Sequence, residues 1–143
     1  LDAIRARIAD GFPVFGTCAG AILLANEILL AEDHGTSDQV RIGGIDMAVR
    51  RNAYGRQIES FEADAAPVRN GDSHDLWADA PFHGVFIRAP RITRIGPDVT
   101  AILTFEDEPV LVRSGPLLAA TFHPELTADD RVHRYFLLNV AGL

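Results

Sequence analysis

Residues 13–30 read Pro13-Val14-Phe15-Gly16-Thr17-Cys18-Ala19-Gly20-Ala21-Ile22-Leu23-Leu24-Ala25-Asn26-Glu27-Ile28-Leu29-Leu30. A short apolar run enters a Gly-x-Cys-x-Gly, and an apolar run with helical spacing leaves it. That is a strand, a sharp turn and a helix, the cysteine form of a nucleophile elbow. Glycines in such a turn allow close backbone approach. The pattern predicts a strand over 13–16 and a helix over 19–30. It holds the Cys18 sulfur at the end of a sheet, beside a helix N-terminus that favours the reactive thiolate.

Outward from the elbow, Leu1, Ile4 and Ile8 have helical spacing and Gly11 ends the segment. The sequence thus opens inside a helix (2–10), and further residues are expected upstream. Strands are predicted over 44–50, 58–63 and 84–88, the last stopped by Pro90, with polar loops over 32–39 and 64–81. Residues 100–105 and 110–113 form a hairpin around Glu106-Asp107-Glu108. Residues 117–122 make a buried strand that runs into His123-Pro124-Glu125. Thr127-Ala128-Asp129-Asp130 reads as a loose capping box for a last helix with Val132, Tyr135, Phe136 and Val140 on its apolar face. With no repeat, low-complexity tract or linker, one α/β domain over 1–143 is expected, a sheet with an antiparallel extension.

The chain has 143 residues and a formal net charge of −7, with 48% apolar and 23% charged residues. That is a globular composition, and its acidity argues against nucleic acid or an anionic membrane as partner. A single cysteine forms no internal disulfide, which fits a reducing, cytoplasmic setting. No apolar run approaches the roughly 18 residues of a membrane span, and no signal peptide is expected.

A cysteine nucleophile needs a base, and the base needs an orienting group. His123 ends a buried strand, where an open α/β sheet places its site. Glu125 lies two residues on, across the backbone restriction of Pro124. The expected catalytic set is therefore Cys18, His123 and Glu125. His34, His74, His83 and His133 have no partner at metal-ligand spacing, and no phosphate- or dinucleotide-binding motif occurs, so no metal or nucleotide site is expected.

The Gly16–Gly20 stretch together with His123-Pro124-Glu125 resembles the class I, triad-type glutamine amidotransferases. Arg51-Asn52-Ala53-Tyr54-Gly55-Arg56-Gln57 with Glu59-Ser60-Phe61-Glu62, Gly84-Val85-Phe86-Ile87-Arg88-Ala89-Pro90, and Phe122–Thr127 narrow this. They are similar to the glutaminase subunit of pyridoxal 5′-phosphate synthase. The resemblance implies a three-layer, flavodoxin-like fold with a mostly parallel sheet, lacking its N-terminal βαβ portion. It implies hydrolysis of L-glutamine through a glutamyl thioester on Cys18, without a cofactor, with ammonia passed to a synthase subunit. By position it implies the Ala19 N–H as oxyanion donor and Arg51, Ile87 and Arg88 as glutamine contacts. The family's second oxyanion N–H lies in a Gly-Gly-Glu-Ser loop ahead of Leu1. Losing one such donor costs about 10²–10³ in rate, so the 143 residues alone are expected to be inactive or unstable. The alternatives are a γ-glutamyl peptidase on the same scaffold and a truncated docking subunit without activity.

Overall fold

The computed structural model describes residues 1–30, 35–51, 60–69, 77 and 80–143. Most of the Arg51–Gln57 stretch, with Arg56 and Gln57, and the histidines His34 and His74 lie outside the described residues. Helix α1 (Asp2–Ala9) leads into β1 (Val14–Thr17) and, after Cys18, α2 (Ala19–Leu24). The strands β2 (Ala25–Leu29), β3 (Ile45–Arg50), β4 (Ser60–Pro67), β5 (Phe82–Ile87), β6 (Arg91–Ile95), β7 (Thr100–Phe105), β8 (Glu108–Ser114) and β9 (Leu117–Ala120) follow. A 3₁₀ turn (Pro124–Leu126), helix α3 (Arg131–Tyr135) and a π-helical turn (Phe136–Val140) close the chain.

Six strands form one sheet in the order β1-β9-β8-β7-β4-β5, and β2-β3-β6 form a second. The fold is α/β with a curled mixed sheet. The curl is visible where β5, an edge strand, meets the chain leaving β9: the His123 N–H donates to the Val85 carbonyl at 2.9 Å. β9 is buried throughout because it separates two apolar clusters. Leu118 and Ala120 join Phe82, Phe86, Leu111 and Phe122 on one side. Leu117 and Ala119 join Leu24, Ile28, Ile45 and Met47 on the other. A strand covered on both faces reads as a continuous apolar run, which is why 117–122 was legible.

Several expectations are corrected. The sheet is not mostly parallel: among the described strands β1–β9 and β2–β3 are parallel, and the other pairs are antiparallel. Parallel neighbours need long crossovers, whereas β7, β8 and β9 follow one another through tight turns. The β7–β8 turn puts both Glu106 (φ +51°) and Asp107 (φ +65°) in the left-handed region, the geometry that matches strand twist in two-residue hairpins.

The helix expected over 19–30 stops at Leu24. Residues 25–29 pair in parallel with β3 and bury Ala25 and Ile28. An apolar run satisfies either periodicity, and the pairing partner decides. β4 extends into the expected 64–81 loop as far as Pro67, with Ala65 buried and Glu62, Asp64 and Ala66 exposed. β6 follows directly on Pro90, where a stop was read, and pairs antiparallel with β3. The capping box does not form. Thr127 Oγ1 donates to the Pro124 carbonyl at 3.4 Å, and Asp129 Oδ1 instead accepts the Arg131 N–H at 3.0 Å.

Arg131 fastens α3 to the sheet. Its Nη1 donates to the Ala80 carbonyl (2.9 Å) and its Nη2 to the Pro81 carbonyl (2.8 Å). Its Nε bonds Asp129, and its guanidinium lies 5.7 Å from the ring centres of Trp77 and Phe82. That arginine holds the entry to β5, and β5 carries backbone groups of the site.

Candidate active site

β1 and β9 run parallel in register from Val14↔Leu117 to Thr17↔Ala120, so both strands deliver their C-terminal ends to one edge. Cys18 leaves β1 there, and its N–H donates to the Ala120 carbonyl at 2.8 Å. Three residues beyond Ala120 the chain reaches His123. The parallel pair thus sets the elbow beside the His-Pro-Glu segment, at the edge where open α/β sheets carry their sites.

Cys18 adopts φ +52°, ψ −106°, an unusual conformation for a residue with a side chain. The turn is tight because Gly16 packs on the next helix. A Cβ at Gly16 would lie 2.6 Å from the Gly20 carbonyl oxygen and 2.8 Å from Leu24 Cδ1. Gly20 is different, since a Cβ there meets nothing within 4 Å. Only the first elbow glycine is required by close approach.

His123 Nδ1 lies 2.9 Å from Glu125 Oε2. An ionised carboxylate only accepts, so this bond assigns the proton to Nδ1 and leaves Nε2 as the basic nitrogen. The 3₁₀ turn that begins at Pro124 brings the two side chains together over so short a span.

Burial pushes the Cys18 thiol above its ordinary range. The Ala19 N–H pulls it down, and the Glu125 carboxylate pushes it further up. The expected preference for thiolate at the helix start is therefore corrected. The one N–H that supports it is outweighed by desolvation, which disfavours the charged form.

The remaining expected contacts stand around this edge unequally. Cys18 Sγ donates to the Ile87 carbonyl at 3.6 Å, which brings the end of β5 onto the sulfur. Ile87 and Arg88 have exposed side chains, and Arg88 has φ +46°. Arg51 follows β3, with its N–H on the Leu29 carbonyl and its Nη1 donating to Gln39 Oε1 at 2.7 Å. Among the described residues its side chain thus bonds the segment after β2.

Sequence reading missed the carbonyls of Val85 and Ile87, which hold His123 and Cys18, because backbone acceptors leave no side-chain signal. It also missed the bracket in which His83 sits between Asp64 (2.9 Å) and Glu62 (3.0 Å) on the outer face of β4 and β5. The alternation of exposed polar positions along β4 was the available signal. Among the described residues no cluster of His, Cys, Asp and Glu is arranged to hold a metal ion. No described helix is long and apolar enough to cross a membrane.

Comparisons with known proteins converge on one family. A pyridoxal 5′-phosphate synthase subunit PdxT from Thermus thermophilus is 52% identical over 143 residues, covering 99% of this chain and 67% of that protein. The PdxT subunit from Mycolicibacterium smegmatis is 50% identical over 137 residues, covering 96% of this chain and 66% of that protein. The chain spans about two thirds of the length of the curated relatives it matches. A crystal structure of a glutamine amidotransferase superposes with a TM-score of 0.81 at 48% identity, covering 99% of this chain and 68% of that one. A putative GMP synthase component from Thermoplasma acidophilum shares the fold alone, with a TM-score of 0.57 at 17% identity over 95% of this chain and 61% of that one. The profile of the SNO glutamine amidotransferase family matches residues 1–142, and with these relatives it makes the chain a member of that family.

Proposed function

We propose that the protein containing this chain is the glutaminase subunit of a pyridoxal 5′-phosphate synthase. It hydrolyses L-glutamine to L-glutamate and ammonia and passes the ammonia to a synthase subunit. The observation that carries the reading is the His123–Glu125 bond at 2.9 Å, on the segment that leaves β9 at the sheet edge where Cys18 leaves β1.

Cys18 gives its proton to His123 Nε2 and attacks the side-chain amide carbon of glutamine. The oxyanion that forms takes the Ala19 N–H, and such donors are worth most in a water-poor site. Ammonia leaves with the proton returned by His123, and a glutamyl thioester remains on Cys18. Water, losing a proton to His123, then releases glutamate and restores the thiol. Glu125 fixes the imidazole tautomer and stabilises the imidazolium. Arg51 serves as a fork for the substrate α-carboxylate, with Ile87 and Arg88 lining the glutamine. The chain is read as one glutamine amidotransferase domain of the three-layer, flavodoxin-like kind, acting in the cytoplasm without a cofactor.

The test is glutamate release by the whole protein with its synthase subunit. Cys18→Ala and Cys18→Ser are expected to abolish turnover while glutamine still binds. Turnover retained in either variant overturns the assignment.

A further inference from the structure

The sulfur of Cys18 has a backbone partner on β5. Its S–H donates to the Ile87 carbonyl at 3.6 Å. A carbonyl oxygen accepts from a thiol but repels a thiolate, so this contact suits the resting, protonated sulfur. The other groups acting on the thiol are the Ala19 N–H from α2 and the Glu125 carboxylate of the segment after β9, where His123 also lies. For the proton to pass to His123, the carbonyl must be exchanged for something better suited to negative charge.

The chain has a feature at that point. Ile87 is the last residue of β5, and Arg88 beyond it holds φ +46°, the left-handed region that favours glycine. Turning the peptide that joins residues 87 and 88 changes ψ of Ile87 and φ of Arg88 together. This is the relation between type II and type I turns, whose third residues have positive and negative φ. Such a rotation returns Arg88 to the region L-residues prefer, swings the carbonyl off the sulfur and swings the Arg88 N–H towards it.

We propose that the Ile87–Arg88 peptide is a two-position positioning element for Cys18, whose carbonyl holds the thiol proton at rest and whose N–H replaces it when the peptide turns. This rests on the reading of Cys18 as nucleophile. The backbone strain at Arg88 keeps the two positions close in free energy, since the contact with sulfur favours one and the φ preference favours the other.

The test compares Arg88→Gly with Arg88→Ala in the whole protein. Both lack the guanidinium, and they differ in backbone freedom. Glycine accepts the positive φ of the resting position without penalty, and alanine does not. Alkylation of Cys18 by iodoacetamide reads the population in which the carbonyl is withdrawn. Arg88→Gly is expected to alkylate at a rate about fivefold or more below that of Arg88→Ala, the factor set by the cost of a side chain in the left-handed region, with its pH profile displaced to higher pH. Arg88→Asn, which tolerates positive φ better than alanine, is expected between them and serves if the glycine variant does not fold. Equal rates and profiles, or a faster glycine variant, overturn the proposal. Alkylation uses no glutamine, so that outcome leaves the glutaminase reading standing, whereas turnover in Cys18→Ala would remove Cys18 as nucleophile, and with it the basis of this proposal, whatever the alkylation rates.

Discussion

A methyl group added at Gly16 and one added at Gly20 should have opposite effects, although the two glycines flank Cys18 symmetrically. At Gly16 the new Cβ would lie 2.6 Å from the Gly20 oxygen, 2.7 Å from the Gly20 carbonyl carbon and 2.8 Å from Leu24 Cδ1. Two of those atoms are backbone of α2, so the clash is relieved only by moving β1 away from the helix. Leu24 is buried and has little room to yield. Forced overpacking of this kind costs about 1–3 kcal/mol, and backbone neighbours place Gly16→Ala at the upper end. Gly20 lies inside α2, has no positive φ, and offers open space at its Cβ. Gly20→Ala is therefore expected to stabilise by up to about 1 kcal/mol, the helix preference for alanine. The assay is urea unfolding of the whole protein. With a slope of about 1–3 kcal/mol per molar urea, the Gly16→Ala midpoint should fall by roughly 1 M or more and the Gly20→Ala midpoint should hold or rise. A neutral Gly16→Ala, or equal losses at both positions, refutes the packing argument for the elbow.

Arg131→Ala removes the donor to the Ala80 and Pro81 carbonyls and the cation over Trp77 and Phe82. It is expected to lower stability by about 2 kcal/mol or more in the same unfolding assay, with Arg131→Lys recovering only part, because a lysine cannot form the fork. Glu125→Gln removes the negative charge that helps to raise the Cys18 thiol. The alkylation pH profile of Cys18 is expected to move to lower pH in that variant, and a move to higher pH contradicts the assigned sign. The raised thiol also has a stability consequence. The folded chain binds that proton more tightly than the unfolded chain, so its contribution is complete below the ordinary thiol range and is lost as pH rises through the folded value. Cys18→Ala is expected to flatten that alkaline decline in unfolding midpoints measured from neutral to high pH.

The elbow and the His123–Glu125 pair were legible because their chemistry is local. Two glycines, a cysteine and an apolar run specify a strand–turn–helix, and a proline between a histidine and a glutamate limits their separation. The buried strand expected at 117–122 was legible, although it ends at Ala120, because apolar residues cover both of its faces. β2 was not, because the apolar residues of Ala25–Leu29 continue the helical spacing of those before them and only β3 makes it a strand. β6 was hidden by Pro90, which lies between β5, ending at Ile87, and β6, and does not prevent the next strand from starting one residue later. The state of the Cys18 thiol was misread for a different reason. Sequence shows the helix start but not the burial, and burial is the larger effect. The Ile87 carbonyl carries no side-chain signature and was visible only once β5 had curled back to the sulfur.

The central claim is that Cys18 carries the glutamyl group during turnover. The most direct measurement is mass analysis of peptides from the whole protein, acid-quenched while it hydrolyses glutamine with its synthase subunit. The account predicts a glutamyl adduct on the peptide containing Cys18, absent in Cys18→Ser. Continued turnover with no adduct on that peptide would contradict it.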